Sequence, residues 1–246
     1  MFNFKRKRRA YLMPILKMLR RVFNAFKKYA YPNYKLSPTV YDMYKEDQIK
    51  NCYEHFKKYF KTAVLLNSEN IRGHAINLAN ENDKDPKNYY LEFGVFSGTS
   101  INFFSQKINK NIYGFDSFEG LKEDWLGTSV IKGTFDLKKQ IPKLNSNVIP
   151  ISGWVQDTLP KFLDEKKPKI NFVHMDIDTY ESSKFVLEKI KPFLIKGAII
   201  LFDELYNFEG WDVGEYKALT EVFDEKDYSF VSFSTDTSQA AIKILN

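Results

Sequence analysis

The chain has 246 residues, of which 43% are hydrophobic and 16% aromatic, a composition that argues against general disorder and suffices for one α/β domain with an appendage. Its single cysteine, Cys52, excludes an intramolecular disulfide and a multi-cysteine zinc site, and fits a reducing compartment. Residues 1–30 hold ten of the 37 Lys and Arg residues and none of the 31 Asp and Glu residues, so the net charge of +6 arises from one end of the chain. The remainder lacks the basic surface that a nucleic-acid partner requires.

The first predicted segment is a basic amphipathic arm over residues 1–35. Within residues 5–28, basic and apolar residues alternate as in a helix whose apolar side enters a lipid surface while its cations face anionic headgroups. Packing of the same helix on the domain or on a partner is an equally good interpretation. Pro14 is expected to break or kink the helix. Lys17 interrupts the apolar stretch that a signal peptide would need, and no run of ~20 apolar residues exists that could span a membrane. We therefore expect a cytoplasmic protein, either free or peripheral at the inner membrane face.

Residues 36–87 are predicted to form a helical cap made of two helices. Apolar side chains recur at helical spacing through this segment, and Val64 and Leu65 are assigned to the helical pattern. Cys52 lies in the same pattern and is expected to pack rather than to react. His74 is a candidate for reaching a site on the following domain.

Residues 88–246 alternate between strand and helix signals and form the predicted α/β domain. Short connections between these elements indicate a three-layer sandwich around a mostly parallel sheet. The last two strands are expected to pair with each other, so that the sheet ends in an antiparallel strand. The stretch 116–144 is long and irregular, which indicates either a functional loop or a segment ordered by substrate. Seven strands are predicted, at 89–95, 112–115, 147–152, 170–175, 198–202, 229–233 and 239–245.

Four carboxylates stand where two of the predicted buried strands end. Asp176 and Asp178 follow one strand, and Asp203 and Glu204 follow the next. In an open α/β sheet, ligands bind outside the carboxyl ends of the strands. Four converging carboxylates repel one another, so they predict a cation, a shared proton or a cationic ligand at this edge. The alternative is that Asp176 and Asp178 are solvated strand-end acids that cap the following helix.

A glycine-containing turn joins the first strand of the domain to its helix. Gly94 and Gly98 allow a ligand to approach the backbone closely, although their spacing differs from the G-x-G-x-x-G fingerprint of pyrophosphate binding. Asp116 ends the next strand, where an acid accepts hydrogen bonds from the ribose hydroxyls of a nucleoside. Together with Glu92, these residues favour S-adenosylmethionine, a nucleoside that carries a cationic amino-acid end instead of phosphates.

The most specific motifs are LEFGVFSGTS (91–100), YGFDSFEGL (113–121), GWVQDTLPKFL (153–163), HMDIDTYESS (174–183) and ILFDELYNFEGW (200–211). In this order and spacing they resemble the class I S-adenosylmethionine-dependent methyltransferases, and most closely the macrocin O-methyltransferase group, which methylates hydroxyls on sugars of antibiotics and related glycans. The resemblance covers residues 88–245 and leaves the first 87 residues outside. It implies a seven-stranded Rossmann-like sheet, S-adenosylmethionine as cofactor and a sugar or glycan-type acceptor.

The resemblance also implies which residues bind the cofactor. Asp116 would hold the ribose, with Ser117 beside it. Gly153 and Trp154 would lie near the adenine. Glu92, Gly94 and Gly98 would line the methionine end, and the other residues expected to bind the cofactor are Phe93, Thr99 and Asp176.

The same resemblance implies a divalent cation, usually magnesium, held by Asp176, Asp203 and Glu204. Asp178 would be the general base for the acceptor hydroxyl. Glu204 departs from the pattern, because the sugar methyltransferases have a second aspartate at this position. Glutamate is also an oxygen ligand but is one methylene longer. A metal site of altered geometry and a metal-free site therefore both remain open.

Other interpretations concern the acceptor, the partners and the function class. Tyr206, Trp211 and Asp212 would form an acceptor wall or a loop packed on itself, and His174 is expected to pack rather than to act as a base. Whether the chain forms a homo-oligomer is left open by the sequence.

A non-catalytic, membrane-associated binding module on the same fold is the second function class. A nicotinamide-dependent dehydrogenase is the third, but it lacks its phosphate fingerprint here.

Overall fold

The computed structural model describes residues 17–23, 25–26 and 38–246. The chain divides into two units, Met1–Tyr44 and Lys45–Asn246. In the first unit the backbone is helical at 17–23 and 25–26, and the side chains of these residues are exposed. Pro14 and most of the predicted arm lie outside the described residues, so the kink expected at Pro14 stays a prediction. Across the described ranges, no helix combines the length and the apolar character that crossing a membrane requires.

The second unit is built on an eight-stranded, mostly parallel sheet. Its strands are β1 (Val64–Leu66), β2 (Asn88–Phe93), β3 (Ile112–Asp116), β4 (Val148–Ser152), β5 (Lys169–Met175), β6 (Leu194–Phe202), β7 (Tyr228–Ser234) and β8 (Ala240–Ile244). They lie in the order β1-β7-β8-β6-β5-β2-β3-β4. Strand β8 is antiparallel to both β6 and β7, which confirms the predicted antiparallel end of the chain.

Six α-helices and three single-turn 3₁₀ helices accompany the strands between residues 38 and 246. The α-helices are α1 (Val40–Phe56), α2 (Ser68–Asn82), α3 (Thr99–Ser105), α4 (Val155–Lys166), α5 (Tyr180–Ile190) and α6 (Glu215–Val222), and the 3₁₀ helices are Tyr59–Lys61, Lys191–Phe193 and Glu225–Asp227. Helix α5 ends at Ile190, because Pro192 cannot continue it and stands at the start of a 3₁₀ turn.

The strand count is one higher than predicted. Val64 and Leu65, which the sequence assigns to a helix, belong to strand β1, which pairs in parallel with β7 at the edge of the sheet. The strand has only three residues, and its apolar side chains continue the spacing of the preceding helix. Pairing with a strand 168 positions further along the chain, Val64 with Ser232, decides its conformation.

The sheet is covered on both faces, as a three-layer sandwich requires. Side chains of α2 and α3 join one buried cluster, to which Tyr90 and Phe172 contribute from the strands. Side chains of α4, α5, α6 and the end of α1 join a second cluster with the alternate strand residues, such as Leu91 and Phe93. The predicted fold class is therefore confirmed.

The direction of strand order changes between β2 and β5. From β2 the sheet continues through β3 and β4 on one side and through β5 and β6 on the other. Backbone bonds extend past the strand ends: Gly94 N–H donates to the Phe115 carbonyl, and Asp176 N–H donates to the Phe93 carbonyl, both at 2.9 Å. The residues that follow these strands are thus held side by side at the point where open α/β sheets bind ligands.

Candidate active site

A cleft opens at the carboxyl ends of the parallel strands and encloses about 940 Å³ of empty space, including its mouth. The predicted site residues that line the cleft are Gly94, Asp116, Ser117, Gly153, Trp154, Asp176, Asp178 and Glu204. The other predicted site residues are not part of this lining: Glu92, Phe93 and Gly98 are buried, Asp203 is partly buried and Thr99 is exposed.

Gly94 makes the close approach of β2 and β5 possible. Its φ is +88°, and a Cβ at this position would lie 1.5 Å from the Asp176 carbonyl oxygen. Any side chain would therefore force the two strand ends apart. Gly98 has φ +80° and begins α3, and a Cβ there would meet the Leu144 side chain at 2.8 Å.

Asp116 fixes the turn that contains Gly94. One carboxylate oxygen accepts hydrogen bonds from the backbone N–H groups of Val95 and Phe96, at 2.8 and 2.7 Å, and the other accepts from Phe118 N–H at 2.6 Å. The side chain thus organises the cleft wall from the end of β3. Each carboxylate oxygen has more than one lone pair, so Asp116 retains acceptor capacity toward a ligand in the cleft.

The opposite wall of the cleft is aromatic and mostly apolar. Trp154 precedes α4, and Lys122 Nζ lies 5.6 Å from the centre of its ring. Phe96 and Phe135 meet edge to face at 5.3 Å and are both partly exposed at the cleft. Such a wall suits the flat face of a base or of a sugar ring.

Glu92 and His174 occupy neighbouring positions on β2 and β5 and are completely buried. Ser100 Oγ donates to one oxygen of Glu92 at 2.8 Å, and His174 Nδ1 lies 3.1 Å from the other. His174 also packs edge to face on Phe104 at 5.0 Å. The expected packing role of His174 therefore holds, but the side chain also connects two carboxylates.

The second carboxylate is that of Asp203. His174 Nε2 lies 3.3 Å from Asp203 Oδ1, and the same oxygen accepts from Arg72 Nη2 at 2.9 Å and from the Gln239 side-chain amide. Burial lowers the pKa of His174, but the hydrogen bonds to Asp203 and Glu92 outweigh it and raise the pKa to about 10. Burial raises the pKa of Asp203, but His174 and Arg72 outweigh this effect and hold it below its usual range.

Sequence reasoning missed Arg72 and Gln239. Arg72 belongs to α2 and lies four positions before the buried Ile76. It is not part of a sequence motif that indicates a site. His74, the residue expected to reach the site, instead lines a different surface depression, together with Thr62 and Val64. The expectation that His74 approaches the site is therefore wrong, because Arg72 and His74 are two positions apart on a helix and so point to different sides of it.

Asp176, Asp178 and Glu204 form the acidic wall of the cleft. One oxygen from each lies within 4.8 Å of the others. Burial and the nearby charge of Asp203 raise the pKa of Asp176 and of Glu204 well above their usual values. Burial, with the charges of Asp203 and Asp116, raises the pKa of Asp178 to about 7.

Asp178 has an unusual backbone conformation. Its φ is +64°, and Thr179 N–H donates to the Ile177 carbonyl at 2.7 Å across it. A γ-turn with positive φ is strained, and strain of this kind concentrates at functional sites. The cap residue of α5 is Thr179, so the alternative role of Asp178 as a helix cap is not realised.

Glu215 is a further acid of this region that sequence reasoning missed. It opens α6 and is fully buried, and its Oε2 accepts the backbone N–H of Glu204 at 3.1 Å. Its Oε1 has no hydrogen-bond partner, and the same holds for Glu204 Oε2. Its position directly after Gly214 resembles an ordinary acidic helix start, which explains why the sequence does not reveal it.

These residues fit a divalent cation. The donors are all carboxylate oxygens, which are the ligands that magnesium prefers. Two buried carboxylate oxygens, Glu204 Oε2 and Glu215 Oε1, lack the partner that buried polar atoms ordinarily have.

The loop after β6 does not form the expected acceptor wall. Tyr206 and Trp211 are buried in the core cluster, where both pack edge to face against Phe56 of α1. Trp211 Nε1–H also donates to Gln48 at 3.0 Å, and Tyr206 donates to the Ser234 carbonyl. Asp212 is exposed. The loop packs on the helical segment because its large aromatic rings gain more from burial than from facing the cleft.

The irregular stretch 116–144 has its own hydrogen bonds. Leu121 N–H donates to Thr134, and Trp125 N–H donates to Val130. Trp125 also lies 6.4 Å, ring centre to ring centre, from Phe208 of the loop after β6. Of the two interpretations, a functional loop and a segment ordered by substrate, the internal bonds favour the first.

The open, mostly parallel sheet, with its glycine turn, strand-end acid and acidic cleft at the change of strand order, agrees with the Rossmann-like sheet that the resemblance implies. Residues 91–205, a little under half of the chain, match the model of a family described as a methyltransferase domain. No curated protein matches the chain. The chain thus contains a methyltransferase domain in residues 91–205.

Several solved structures have a similar fold. The calicheamicin methyltransferase CalS11 has a TM-score of 0.57 and 20% identity, over 85% of this chain and 94% of that chain. Its apo structure, described as a TDP-rhamnose 3'-O-methyltransferase, has a TM-score of 0.52 and 19% identity, over 85% and 96%. The O-methyltransferase NovP has a TM-score of 0.50 and 20% identity, over 72% and 79%. Likeness at these identities concerns the fold.

Proposed function

We propose that this enzyme transfers a methyl group from S-adenosylmethionine to a hydroxyl of a sugar or glycan-type small molecule, assisted by a divalent cation. The observation that carries the proposal is the cleft itself, which Gly94 and Asp116 line together with the carboxylates of Asp176, Asp178 and Glu204. Asp178 would be the general base of the transfer, a role that a carboxylate at the wall of such a cleft can take.

The cofactor would occupy the cleft along β2, β3 and the start of α4. Gly94 would leave room for the methionine end of the cofactor, and Glu92, behind the turn, would be the acid nearest to its cationic amino group. Asp116 and Ser117 would bind the ribose, and Trp154 would stack on the adenine. The support for this orientation is that Gly94, Asp116, Ser117 and Trp154 line one continuous cleft and that Asp116 accepts hydrogen bonds from the glycine turn.

Asp178 would take the acceptor proton during the transfer. The acceptor oxygen forms the new bond to the methyl carbon while the sulfur–carbon bond breaks and its electron pair stays on sulfur, so a sulfonium becomes a neutral thioether. Asp176, Asp203 and Glu204 would hold a divalent cation, which lowers the pKa of a chelated hydroxyl when bound. The aromatic wall and Asp178 position the hydroxyl, and such positioning provides much of the rate.

The acceptor class is supported by the aromatic cleft mouth at Phe96 and Phe135, which suits a sugar ring, and by the sugar substrate printed for CalS11. The basic arm would hold the enzyme at an anionic membrane surface near a glycan or lipid-linked acceptor. The exposed apolar side chains of Met18, Leu19 and Val22 support this part. A homo-oligomer stays a prediction.

Two measurements test the function. Calorimetric titration with S-adenosylhomocysteine is expected to show binding, whereas NAD is expected not to bind. Labelled S-adenosylmethionine is then supplied with fractionated glycans and lipids of the source cell, and label is expected in a sugar hydroxyl. Absence of cofactor binding would exclude methyl transfer, and binding without transfer to any fraction would favour the non-catalytic module. Turnover that a chelator leaves unchanged would exclude the cation but not the transfer.

A further inference from the structure

Five lysine residues gather at the amino ends of β2, β3 and β5, the edge of the sheet opposite to the cleft. These strands are parallel neighbours, so the connections that lead into them lie side by side. The lysines come from these three connections and the residues beside them, and they line one open depression of about 1090 Å³, including its mouth: Lys87, Lys110, Lys166, Lys167 and Lys169. The sequence does not reveal this cluster, because the three connections are far apart along the chain.

The acids at this depression are already engaged. Among the described residues that line it, Asp85 is the only carboxylate. Its Oδ1 accepts the backbone N–H of Lys87 at 2.9 Å, and its Oδ2 lies 3.5 Å from Lys169 Nζ. Lys110 Nζ is paired with Asp83 at 2.5 Å. Two of the five lysines therefore have a counter-ion within the chain.

The other three lysines are not neutralised. Among the residues that the structure describes, Lys87, Lys166 and Lys167 have no carboxylate within ion-pair distance. All three side chains are exposed. Like charges that line one depression repel one another, and an anion bound between them relieves this repulsion.

Ordinary surface lysines account for only part of this cluster. Lys166 and Lys167 stand at the end of α4, where the helix dipole favours cations. Lys87, Lys110 and Lys169 have no such position, since each lies outside a helix. Beyond residue 30 the chain has 27 basic and 31 acidic residues, so five lysines around one acid are a local enrichment and not the general character of the surface.

Two aromatic rings complete the lining of the depression. Tyr89 of β2 and Tyr113 of β3 stack at 5.4 Å between ring centres, and Tyr113 also contacts Phe162 of α4. Both tyrosines are partly exposed. Aromatic rings beside cationic groups suit a sugar that carries phosphate, because its C–H groups pack on the rings while lysines bind the phosphate oxygens.

The same lining argues against a membrane surface as the partner. Among the described residues of the depression, none is an exposed large apolar side chain of the kind that enters lipid. A concave lining also suits a small molecule better than the plane of a bilayer.

We propose that this depression is a second binding site of the chain and that its ligand is a phosphorylated sugar. Lys87, Lys166 and Lys167 bind the phosphate group, and Tyr89 and Tyr113 contact the sugar ring. The six residues of β2, which separate this edge from the cleft, correspond to about 20 Å of strand. The site is thus separate from the cleft of the proposed methyl transfer.

The test is calorimetric titration of the full chain with glucose 1-phosphate, inorganic phosphate and glucose, at neutral pH and low ionic strength. Glucose 1-phosphate is expected to bind at least about threefold more tightly than inorganic phosphate, because the ring adds contacts with the tyrosines. Glucose alone is expected not to bind, and salt is expected to weaken the binding of glucose 1-phosphate. Equal affinity for the two phosphates, or no binding of either, would overturn the proposal.

Lys166→Gln with Lys167→Gln is expected to weaken the binding of glucose 1-phosphate by about tenfold, as the loss of two charge-assisted contacts does. The matched control is Lys138→Gln with Lys139→Gln, an exposed lysine pair between β3 and β4, which changes the net charge by the same amount. The control is expected to stay within about twofold of the wild type. An equal loss in both double variants would mean that net charge, and not this depression, attracts the ligand, and would overturn the proposal.

Lysine acetylation of the wild type, measured by mass spectrometry, locates the ligand without any variant. Glucose 1-phosphate is expected to reduce the acetylation of Lys87, Lys166 and Lys167 and to leave that of Lys138 unchanged. Uniform protection of all lysines, or protection confined to Lys122 at the cleft, would contradict the proposed site.

Two further arms distinguish other sources of phosphate. Co-sedimentation with vesicles that contain phosphatidylglycerol, and binding of a single-stranded RNA oligonucleotide, are expected to be equal for the wild type and for Lys166→Gln with Lys167→Gln. A loss of either in the double variant, combined with no binding of glucose 1-phosphate to the wild type, would assign the depression to a lipid headgroup or to RNA and would overturn the proposal.

Discussion

At the scale of single residues, the site depends on how differently the protein treats acids that look alike in sequence. Asp203 is bound by two cationic side chains, and this lowers its pKa. Glu204, its direct neighbour, has a buried oxygen without a partner and a raised pKa, caused first by burial. The difference arises because successive residues after a strand point to different sides of the sheet. Adjacent acids can therefore have separate functions.

Asp178→Asn is expected to keep the affinity for S-adenosylhomocysteine and to lower kcat by at least about a hundredfold, because the amide has the same shape but cannot accept a proton. Calorimetry gives the affinity, and transfer of labelled methyl gives kcat. The control is Asp212→Asn, an exposed acid of the loop after β6. Unchanged turnover in Asp178→Asn would remove its role as base.

His174 is expected to make stability depend on alkaline pH. Its folded-state pKa, raised to about 10, exceeds the unfolded value of 6.5, so its contribution is complete below the unfolded pKa and is lost as pH rises through about 10. Urea denaturation of the wild type is expected to show a falling free energy of unfolding between about pH 7 and about pH 10.

His174→Gln is expected to be less stable at neutral pH and to show a flatter profile across that window. His74→Gln, a histidine outside the network, serves as the control and is expected to keep the slope of the wild type. A His174→Gln profile as steep as that of the wild type would mean that other groups cause the pH dependence.

At the scale of elements, most strands and helices could be predicted because their patterns are long and local. The predicted strand 170–175 is β5 (Lys169–Met175), and the predicted strand 112–115 is β3 (Ile112–Asp116). Strand β1 could not be predicted, since three apolar residues suit a helix as well as a strand and only the pairing with β7 decides. The burial of Trp211 could not be predicted either, because it depends on contacts with α1, which lies 155 or more residues earlier in the chain.

The attachment of α1 depends mainly on Phe56. This ring is fully buried and meets Tyr206, Trp211, Tyr216, Phe230 and Phe233 edge to face at 5.0 to 5.8 Å. Phe56→Ala is expected to lower the free energy of unfolding by about 3–5 kcal/mol, as for other buried aromatic residues.

Tyr53→Ala on the same helix is the control, because Tyr53 is exposed, and its cost is expected to be about 0.5 kcal/mol or less. Denaturant unfolding measures both. Equal losses for the two variants would mean that the aromatic cluster does not hold the helix.

At the scale of the whole molecule, the charge is divided along the chain. The ten basic residues of 1–30 contrast with 27 basic and 31 acidic residues in the remainder. A segment that combines such charge with exposed apolar side chains binds anionic lipid surfaces by both forces at once. The cleft residues belong to the unit Lys45–Asn246.

The arm is expected to bind vesicles that contain anionic phospholipid and not neutral vesicles, and the binding is expected to weaken as salt increases. Co-sedimentation measures it. Leu19→Ser with Val22→Ser is expected to reduce the binding while the net charge is unchanged, because both side chains are exposed in the structure. Equal binding to neutral and anionic vesicles would contradict an electrostatic contribution of the basic residues to membrane binding.

The sequence by itself determined the α/β class, the order of the main elements and the strand-end residues, because strand ends, glycine turns and acidic motifs are local patterns. It also indicated that acids converge at one edge of the sheet. Only the tertiary structure decided which acids face the cleft, since this depends on Arg72, Gln239 and Glu215, which come from distant elements. A carboxylate has no fixed role in sequence, because its charge, its exposure and its partners are set by whatever the fold brings beside it.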